Sequence, residues 1–455
     1  MNIVNQANFY VVLIFLTEIV MWVYAYRKTN GDLVSPSVMT LSFFILSFAC
    51  FLYNTDQWVV VFTFKAYMLY ALTFAIMLGL EFFWRNRNRE LRLKPMRQRT
   101  AFYIAEPLDT ILFVIFTAFS LIYVYRVYKS GMSLGASSFL MAIGFNKEEG
   151  DFDGLSRLLY NMVRMASYVY AIIFCQNVIA ARQSVKQNWK SLVIIIVTVI
   201  NTFFSGQRSA TIAYLIGIFV AVMIAVYDRP KRRIYKKKVR RSAVYAGLLI
   251  VTFFFLSANF VKGNDKERIF TDYMTYYFGC TNASMGRIVE KPTLCHTPFR
   301  GYFGEKTFNG FWKDMYSRGI VKREPCDRVW IPMHAPATIQ ATNEYSFLCA
   351  PYIDFGFWGA LVFVFCFYCL YDYLYYEKIL IRDKSENICS ISAIYIFLYA
   401  MVAMTFYQDT IRSYSRPINI LYLLYIFTFC KLFVNQKAYV YKLRSLDNDK
   451  HQSLS

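Results

Sequence analysis

The sequence predicts an all-α, polytopic membrane protein of about eleven transmembrane helices, with its N-terminus outside, its C-terminus inside and one large outward loop carrying an amphipathic helix. Three observations predict it. Hydrophobic residues make up 57% of the 455 residues and aromatic ones 19%, with a positive mean hydropathy. Apolar runs of the length a bilayer crossing needs, about 20 residues, recur from the first ten residues almost to the end. The short basic segments fall between alternate pairs of these runs, as the rule that Lys- and Arg-rich loops stay in the cytoplasm requires.

Taken in order, the spans fall at roughly 8 to 26, 37 to 53, 58 to 84, 107 to 128, 159 to 181, 191 to 205, 209 to 227, 242 to 261, 346 to 373, 388 to 408 and 416 to 434. The opening MNIVNQANFYVVLIFLTEIVMWVYAYRKTN has no basic n-region and no small-residue cleavage site, so it reads as a retained span. Arg27 and Lys28, RNRNRELRLKPMRQR at 85–99, RQSVKQNWK, DRPKRRIYKKKVRR at 228–241, the loop after the ninth span and the tail carry more than half of the 50 Lys and Arg. They serve topology and anionic-lipid contact, so the net charge of +21 does not imply nucleic acid. The resulting organisation is helices 1–8 over 1–261, an outward loop over 262–345, helices 9–11 over 346–434 and a cytoplasmic tail over 435–455. The ten cysteines include no CxxC pair; Cys280, Cys295 and Cys326 share the long loop, as one bridge with a leftover thiol or as free thiols.

Two outward segments exceed what connection requires, 129–158 and 262–345. Within the second, FNGFWKDMYSRGI places Phe308, Phe311, Trp312, Met315 and Gly319 on one helical face, for a helix on the outer leaflet, a lid, or a helix packed on the rest of the loop. The two halves show no internal repeat, which speaks against a transporter built on inverted repeats.

Ionisable residues inside apolar spans are costly, so their positions carry information. Lys65, Arg126, Arg164, Arg208, Arg412 and Arg416 all fall toward the outer side, the reverse of what orientation favours. An anionic ligand at the outer leaflet explains them economically, because arginine's planar fork matches phosphate oxygens and stays charged. Arg208, in NTFFSGQRSATIAYLIG, occupies a tight turn whose following helix offers free N–H groups to an anion. His334, with Glu344 or Asp354 to orient or replace it, is the candidate general base of the outward loop. There is no HExxH, no GxSxG elbow, no Walker glycine loop and no DxD pair beside a basic loop, so no metal or nucleotide cofactor is expected.

FFSGQRSATIAYLIG at an outward turn, FGEKTFNGFWKDMYSRGI in the loop and TNEYSFLCAPYIDFGFWGALVFVF leading into the next span resemble the Wzy-type O-antigen polymerases, or oligosaccharide repeat unit polymerases. Tyr345, Asp354, Phe355, Gly356 and Gly359 form the better mark. The resemblance implies a metal-independent, C-type glycosyltransferase of the bacterial inner membrane with a periplasmic loop. Such an enzyme transfers a growing glycan from undecaprenyl pyrophosphate to a newly flipped lipid-linked repeat unit. It implies undecaprenyl-pyrophosphate-linked glycans and membrane lipids as partners, with a chain-length regulator and a flippase, and lipopolysaccharide or another surface polysaccharide as product. Arg208 matches the arginine expected to face pyrophosphate; Arg164, Arg412, Arg416, Arg126 and Lys65 join it by topology. Trp312, Trp330 and Tyr345 are the candidates for stacking on sugars. The alternatives are an O-antigen ligase of the same class, and a lipid-linked glycan flippase or transporter.

Overall fold

The computed structural model describes residues 3–53, 62–87, 98–133, 154–205, 208–227, 270–291, 301–326, 331–332, 341–342, 346–380, 388–406 and 410–440. The predicted span at 242–261 lies outside them, as do most of the stretch at 129–158 and the basic loop at 228–241.

The chain opens with α1 (Ile3–Lys28), α2 (Pro36–Tyr53) and α3 (Phe64–Arg87). Proline suits the first position of α2, where the backbone N–H would lack a helical partner anyway, and Asp32 shapes the link before it by accepting the Val34 amide at 3.1 Å. Strand β1 (Gln98–Ile104) then leads into α4 (Leu108–Ser133) and α5 (Gly154–Phe174), which runs on through a π-helical turn, Cys175–Ala180. Next come α6 (Trp189–Phe204), α7 (Arg208–Tyr227), α8 (Phe270–Glu290) and the short α9 (Asn309–Ser317). The two-residue strands β2 (Ile331–Pro332) and β3 (Ala341–Thr342) pair antiparallel. Helix α10 (Cys349–Tyr373) also continues through a π-helical turn, Leu374–Ile379, and α11 (Ile388–Ala403), α12 (Thr410–Tyr414), α13 (Ile418–Phe433) and strand β4 (Val434–Val440) complete the described chain.

Among the described residues, eight helices are long and apolar enough to cross a membrane, and α11 and α13 are shorter apolar helices. Their apolar surface is two-sided. Helices α1, α4 and α10 bury one flank and expose a continuous apolar flank, with Val20 and Leu121 each 67% exposed and Trp358 74% exposed. Such surface is tolerable only with lipid as the solvent, and the chain is a multi-pass membrane protein.

The interior is unusually rich in tyrosine: Tyr70, Tyr170, Tyr214, Tyr368, Tyr375, Tyr395 and Tyr399 are all fully buried. A buried phenol requires a partner for its hydroxyl, and many find one across helices. Tyr399 donates to the Val34 carbonyl at 2.9 Å, Tyr371 donates to the Leu398 carbonyl at 2.9 Å, and the Tyr368 hydroxyl shares a hydrogen bond of 2.8 Å with Thr40. These bonds tie α2, α10 and α11 together without any charge.

The chain departs from the all-α expectation at one end. Strand β1 pairs antiparallel with β4, from Gln98 opposite Val440 to Ile104 opposite Val434, and so joins segments more than three hundred residues apart in the chain. Asn177 locks this ribbon to α5 by accepting the Phe102 amide at 2.9 Å and donating to its carbonyl at 2.6 Å. This ribbon end also gathers the last turn of α3, where Arg87 approaches Glu377 at 3.9 Å, and the start of α6, where Lys190 meets Glu106 and Asp109. The opposite end carries residues 301–326 and is called the loop end.

A second departure concerns the stretch read as outward loop, 262–345. Its residues 270–290 form α8, a helix buried against α2: Ser47 donates to the Phe278 carbonyl at 2.5 Å, and Asn282 donates to Ser47 at 2.9 Å and accepts from Tyr70 at 2.9 Å. Buried polar residues, Thr281, Asn282, Ser284 and Arg287, interrupt its apolar ones and give the stretch a loop-like composition. Cys280 and Cys326 form no disulfide, and Cys295 lies outside the described residues.

Candidate functional site

The loop end is organised by Asp354. Lying one turn into α10, its carboxylate accepts the Lys306 amide at 3.0 Å, the Thr307 amide at 2.6 Å and the Thr307 hydroxyl at 2.7 Å. That pins the turn before α9 onto the helix. Gly356 follows with φ +70°, so α10 kinks directly after its anchor, a conformation L side chains rarely adopt. Glu305 and Asn309 fasten the far side of the same segment. Glu305 accepts the Cys326 amide at 2.8 Å and Asn309 donates to the Cys326 carbonyl at 2.7 Å.

Helix α9 therefore sits on the body of the protein, and it does so by its small and polar edge. Asn309, Gly310 and Asp314 are its buried residues, while Phe311, Trp312 and Met315 are half-buried. Gly310 allows the close approach: a Cβ there would lie 2.0 Å from the Arg412 carbonyl oxygen. The helix packs on the rest of the loop, through Cys326 and Phe303, and also on Arg412 and Arg416 outside it. The apolar stripe is only partly covered, with the Trp312 ring stacked on Tyr302 at 4.8 Å and its Nε1 donating to the Phe303 carbonyl at 3.0 Å.

Two of the cations lie against α9, and a third lies nearby in α5. Arg416 donates through both Nε and Nη2 to one oxygen of Asp314, at 3.0 and 2.8 Å. Arg412, two residues into α12, has its backbone against Gly310 and is itself half-buried. Arg164 lies ten residues into α5, about 15 Å of helical rise. Its guanidinium lies over the Tyr160 ring at 5.1 Å and the Tyr422 ring at 5.9 Å, and Nη1 donates to the Tyr160 hydroxyl at 3.4 Å. Its Nε is buried with no hydrogen-bond partner. Tyr422 on α13 is the meeting point, within electrostatic reach of Arg164, Arg416 and Arg157. Tyr168 and Tyr414 complete the aromatic surround of Arg164.

The other predicted residues distribute around this centre. Arg126 donates from Nε to the Ser156 hydroxyl at 2.9 Å, beside Arg157. Lys65 is exposed and lies over the Tyr352 ring at 5.5 Å, on the flank of α10. Arg208 is the first residue of α7, at the loop end, and its side chain lies outside the described residues. His334, Glu344, Trp330 and Tyr345 also lie outside them. Asp354 and Trp312, expected to act on the acceptor and to stack on sugar, have their polar atoms engaged in holding the loop.

Three features were not anticipated. Asp314 neutralises Arg416, Arg157 joins the cluster, and four tyrosines surround Arg164. Among the described residues no group of three or more His, Cys, Asp and Glu side chains could hold a metal ion. No family model matches this sequence, and no curated protein or solved structure matches it.

Proposed function

We propose that this chain is a metal-independent glycosyltransferase that polymerises undecaprenyl-pyrophosphate-linked oligosaccharide repeat units at the periplasmic face of a bacterial inner membrane. The observation that carries the reading is the convergence of Arg157, Arg164 and Arg416 on Tyr422, with Arg412 alongside and α9 seated on Arg412 and Arg416. A guanidinium inside an apolar span that is held by tyrosine faces, as Arg164 is, suits a membrane-borne anion. Tyrosine faces hold Arg164 without neutralising it, because a ring quadrupole attracts a cation but leaves its donors free.

In the proposed reaction an acceptor sugar hydroxyl attacks the anomeric carbon of the donor glycan. The new glycosidic C–O bond forms as the bond from that carbon to the phosphate oxygen breaks. The electron pair leaves with undecaprenyl pyrophosphate, whose developing charge Arg164, Arg416 and Arg208 stabilise. The hydroxyl proton passes to a base of the outward loop, His334 or Glu344. Asp354 acts by position, since its carboxylate already accepts three hydrogen bonds from Lys306 and Thr307.

One observation favours the transporter alternative: Glu18, Glu81 and Asp372 are buried in α1, α3 and α10, and intramembrane carboxylates commonly mark ion-coupled pathways. Complementation of a strain lacking this chain separates the readings. Arg164→Ala, at unchanged protein level, is expected to reduce glycan gels from a polymer ladder to single repeat units, and Arg164→Lys to restore part of the ladder. A normal ladder with Arg164→Ala overturns the proposal. Polymer that stays on its lipid carrier would indicate a ligase, and repeat units retained on the cytoplasmic face a flippase.

A further inference from the structure

The ribbon end holds a group of buried oxygens that the glycan chemistry does not use. Glu81 lies on α3, six residues or about 9 Å of rise from the end of that helix. It accepts the Tyr376 hydroxyl through Oε1, and its Oε2 is buried with no partner. Asp372, near the end of α10, is fully buried, and neither Oδ1 nor Oδ2 has a hydrogen-bond partner. The two carboxylates interact electrostatically with each other. A third, independent group points into the same space from α11. The Tyr395 hydroxyl is fully buried without a partner, interacts electrostatically with Asp372 and Asp32, and its ring stacks on Tyr375 at 5.8 Å.

Such an arrangement cannot stand as two bare anions. An unpaired ionised carboxylate in a low-dielectric interior costs several kcal/mol, and two together repel. The groups facing the pair are Asp32 and Ser35 from the α1–α2 link, Ser37 from the start of α2, Tyr368, Cys369 and Tyr376 from the α10 segment, and Tyr395 and Tyr399 from α11. None is cationic, and among the described residues no Lys or Arg forms an ion pair with Glu81 or Asp372. At the rim of this end Arg87 approaches Glu377 and Lys28 and Lys378 lie over Tyr24 and Tyr373, while Arg85, one turn beyond Glu81 on α3, has a buried Nη1 with no hydrogen-bond partner and forms no ion pair with Glu81. An all-oxygen donor set without histidine or thiolate suits a hard, small cation.

We propose that Glu81 and Asp372, with the Tyr395 hydroxyl, form an internal binding site for a small monovalent cation, a proton or Na⁺, which ties α3, α10 and α11 together. The site does not depend on which reaction the loop end performs. With the cation bound, the paired carboxylates carry one negative charge fewer and a bridging atom replaces a repulsion. With it removed, the three helices lose that tie. The two cations share this chemistry and differ in their signature. A proton is taken up by the folded chain and not by the unfolded one, whose carboxyls titrate near pH 4, so stability falls as pH rises above that value. Bound Na⁺ adds stability that grows with its concentration.

The test is thermal unfolding of the purified full chain in nanodiscs, from pH 5 to 9, with 200 mM NaCl or 200 mM choline chloride. A proton site predicts a melting temperature that falls by about 3 °C or more between the ends of this range whatever the salt. A sodium site predicts a melting temperature higher by about 3 °C or more in NaCl than in choline chloride at pH 9. In either case Asp372→Asn is expected to flatten the response, with Asn keeping the shape and removing the charge, and Glu81→Gln provides the same readout if that variant does not fold. A wild-type chain whose melting temperature changes with neither pH nor Na⁺ overturns the proposal. So does a response that both variants retain in full.

Discussion

The two ends of the molecule arrange charge in opposite ways. At the ribbon end the paired cations lie at the rim, Arg87 beside Glu377 and Lys190 beside Glu106, while the carboxylates of Glu81 and Asp372 are inside. At the loop end arginine moves inward: Arg164 is enclosed by tyrosines, and a carboxylate, Asp314, comes in from the loop to meet Arg416. The rim charges follow from the orientation of a membrane chain and would be present whatever its activity. The interior charges answer no such rule and cost free energy where they stand, so they carry the functional information. Under the two proposals, one end receives an anion and the other retains a cation.

The sharpest way to break this contrast is to lift α9 from the arginines. Gly310→Val places a branched side chain where even a Cβ would meet the Arg412 carbonyl at 2.0 Å, so α9 and α12 must separate. Activity is expected to fall at least about a hundredfold at near-normal protein level, since misplacement by an ångström costs on that order. Increased protease cleavage within 301–326 would show that displacement of the loop is the cause. Full activity would mean that the seating of α9 over the arginines does not matter.

Next in size is Asp354→Ala. It leaves two backbone amides and a hydroxyl without their shared acceptor, a loss of about 2 to 4 kcal/mol if the sites stay dry. A positioning role predicts that activity and the thermal stability of the loop decline together and that the optimum pH is unchanged. A shifted pH profile with intact stability would return Asp354 to the acceptor chemistry.

The sequence made the arginines legible and left their surroundings largely hidden, for physical reasons. Arg164 stands out because a guanidinium interrupts an apolar run, and Tyr160 and Tyr168, four residues to either side, share its helical face. Tyr414 and Tyr422 come from the far end of the chain, where no local period announces them. Arg416 read as a free cation because Asp314 is about a hundred residues away, on the polar side of a helix whose apolar stripe drew the attention. The cost that singles out Arg164 applies equally to Glu18, Glu81 and Asp372, which interrupt apolar runs of the same kind. Helix α8 is hard to read because Thr281, Asn282, Ser284 and Arg287 interrupt its apolar residues, although all of 279–289 is buried, Ala283, Met285 and Ile288 included. The β1–β4 ribbon was missed because its strands are too far apart in sequence for any short-range hairpin signal to link them.

The smallest expected effect tests whether Asp314 holds Arg416 for the ligand or away from it. The Arg416 side chain is 52% exposed and Asp314 11%, so solvent screens the pair, and Asp314→Asn is expected to cost under about 1 kcal/mol of stability. Its effect on binding has the opposite sign to that of Arg416→Gln. Removing the carboxylate frees a guanidinium that had spent Nε and Nη2 on one oxygen, so inorganic pyrophosphate should bind about two- to fivefold more tightly to Asp314→Asn, with steeper salt dependence. Arg416→Gln should weaken it by a similar factor. If Asp314→Asn instead weakens binding as Arg416→Gln does, the carboxylate aims the arginine at the anion, and the two residues form one recognition unit. The double variant decides between these outcomes: competition predicts that it binds as Arg416→Gln alone does, because a carboxylate cannot compete for a charge that is no longer there.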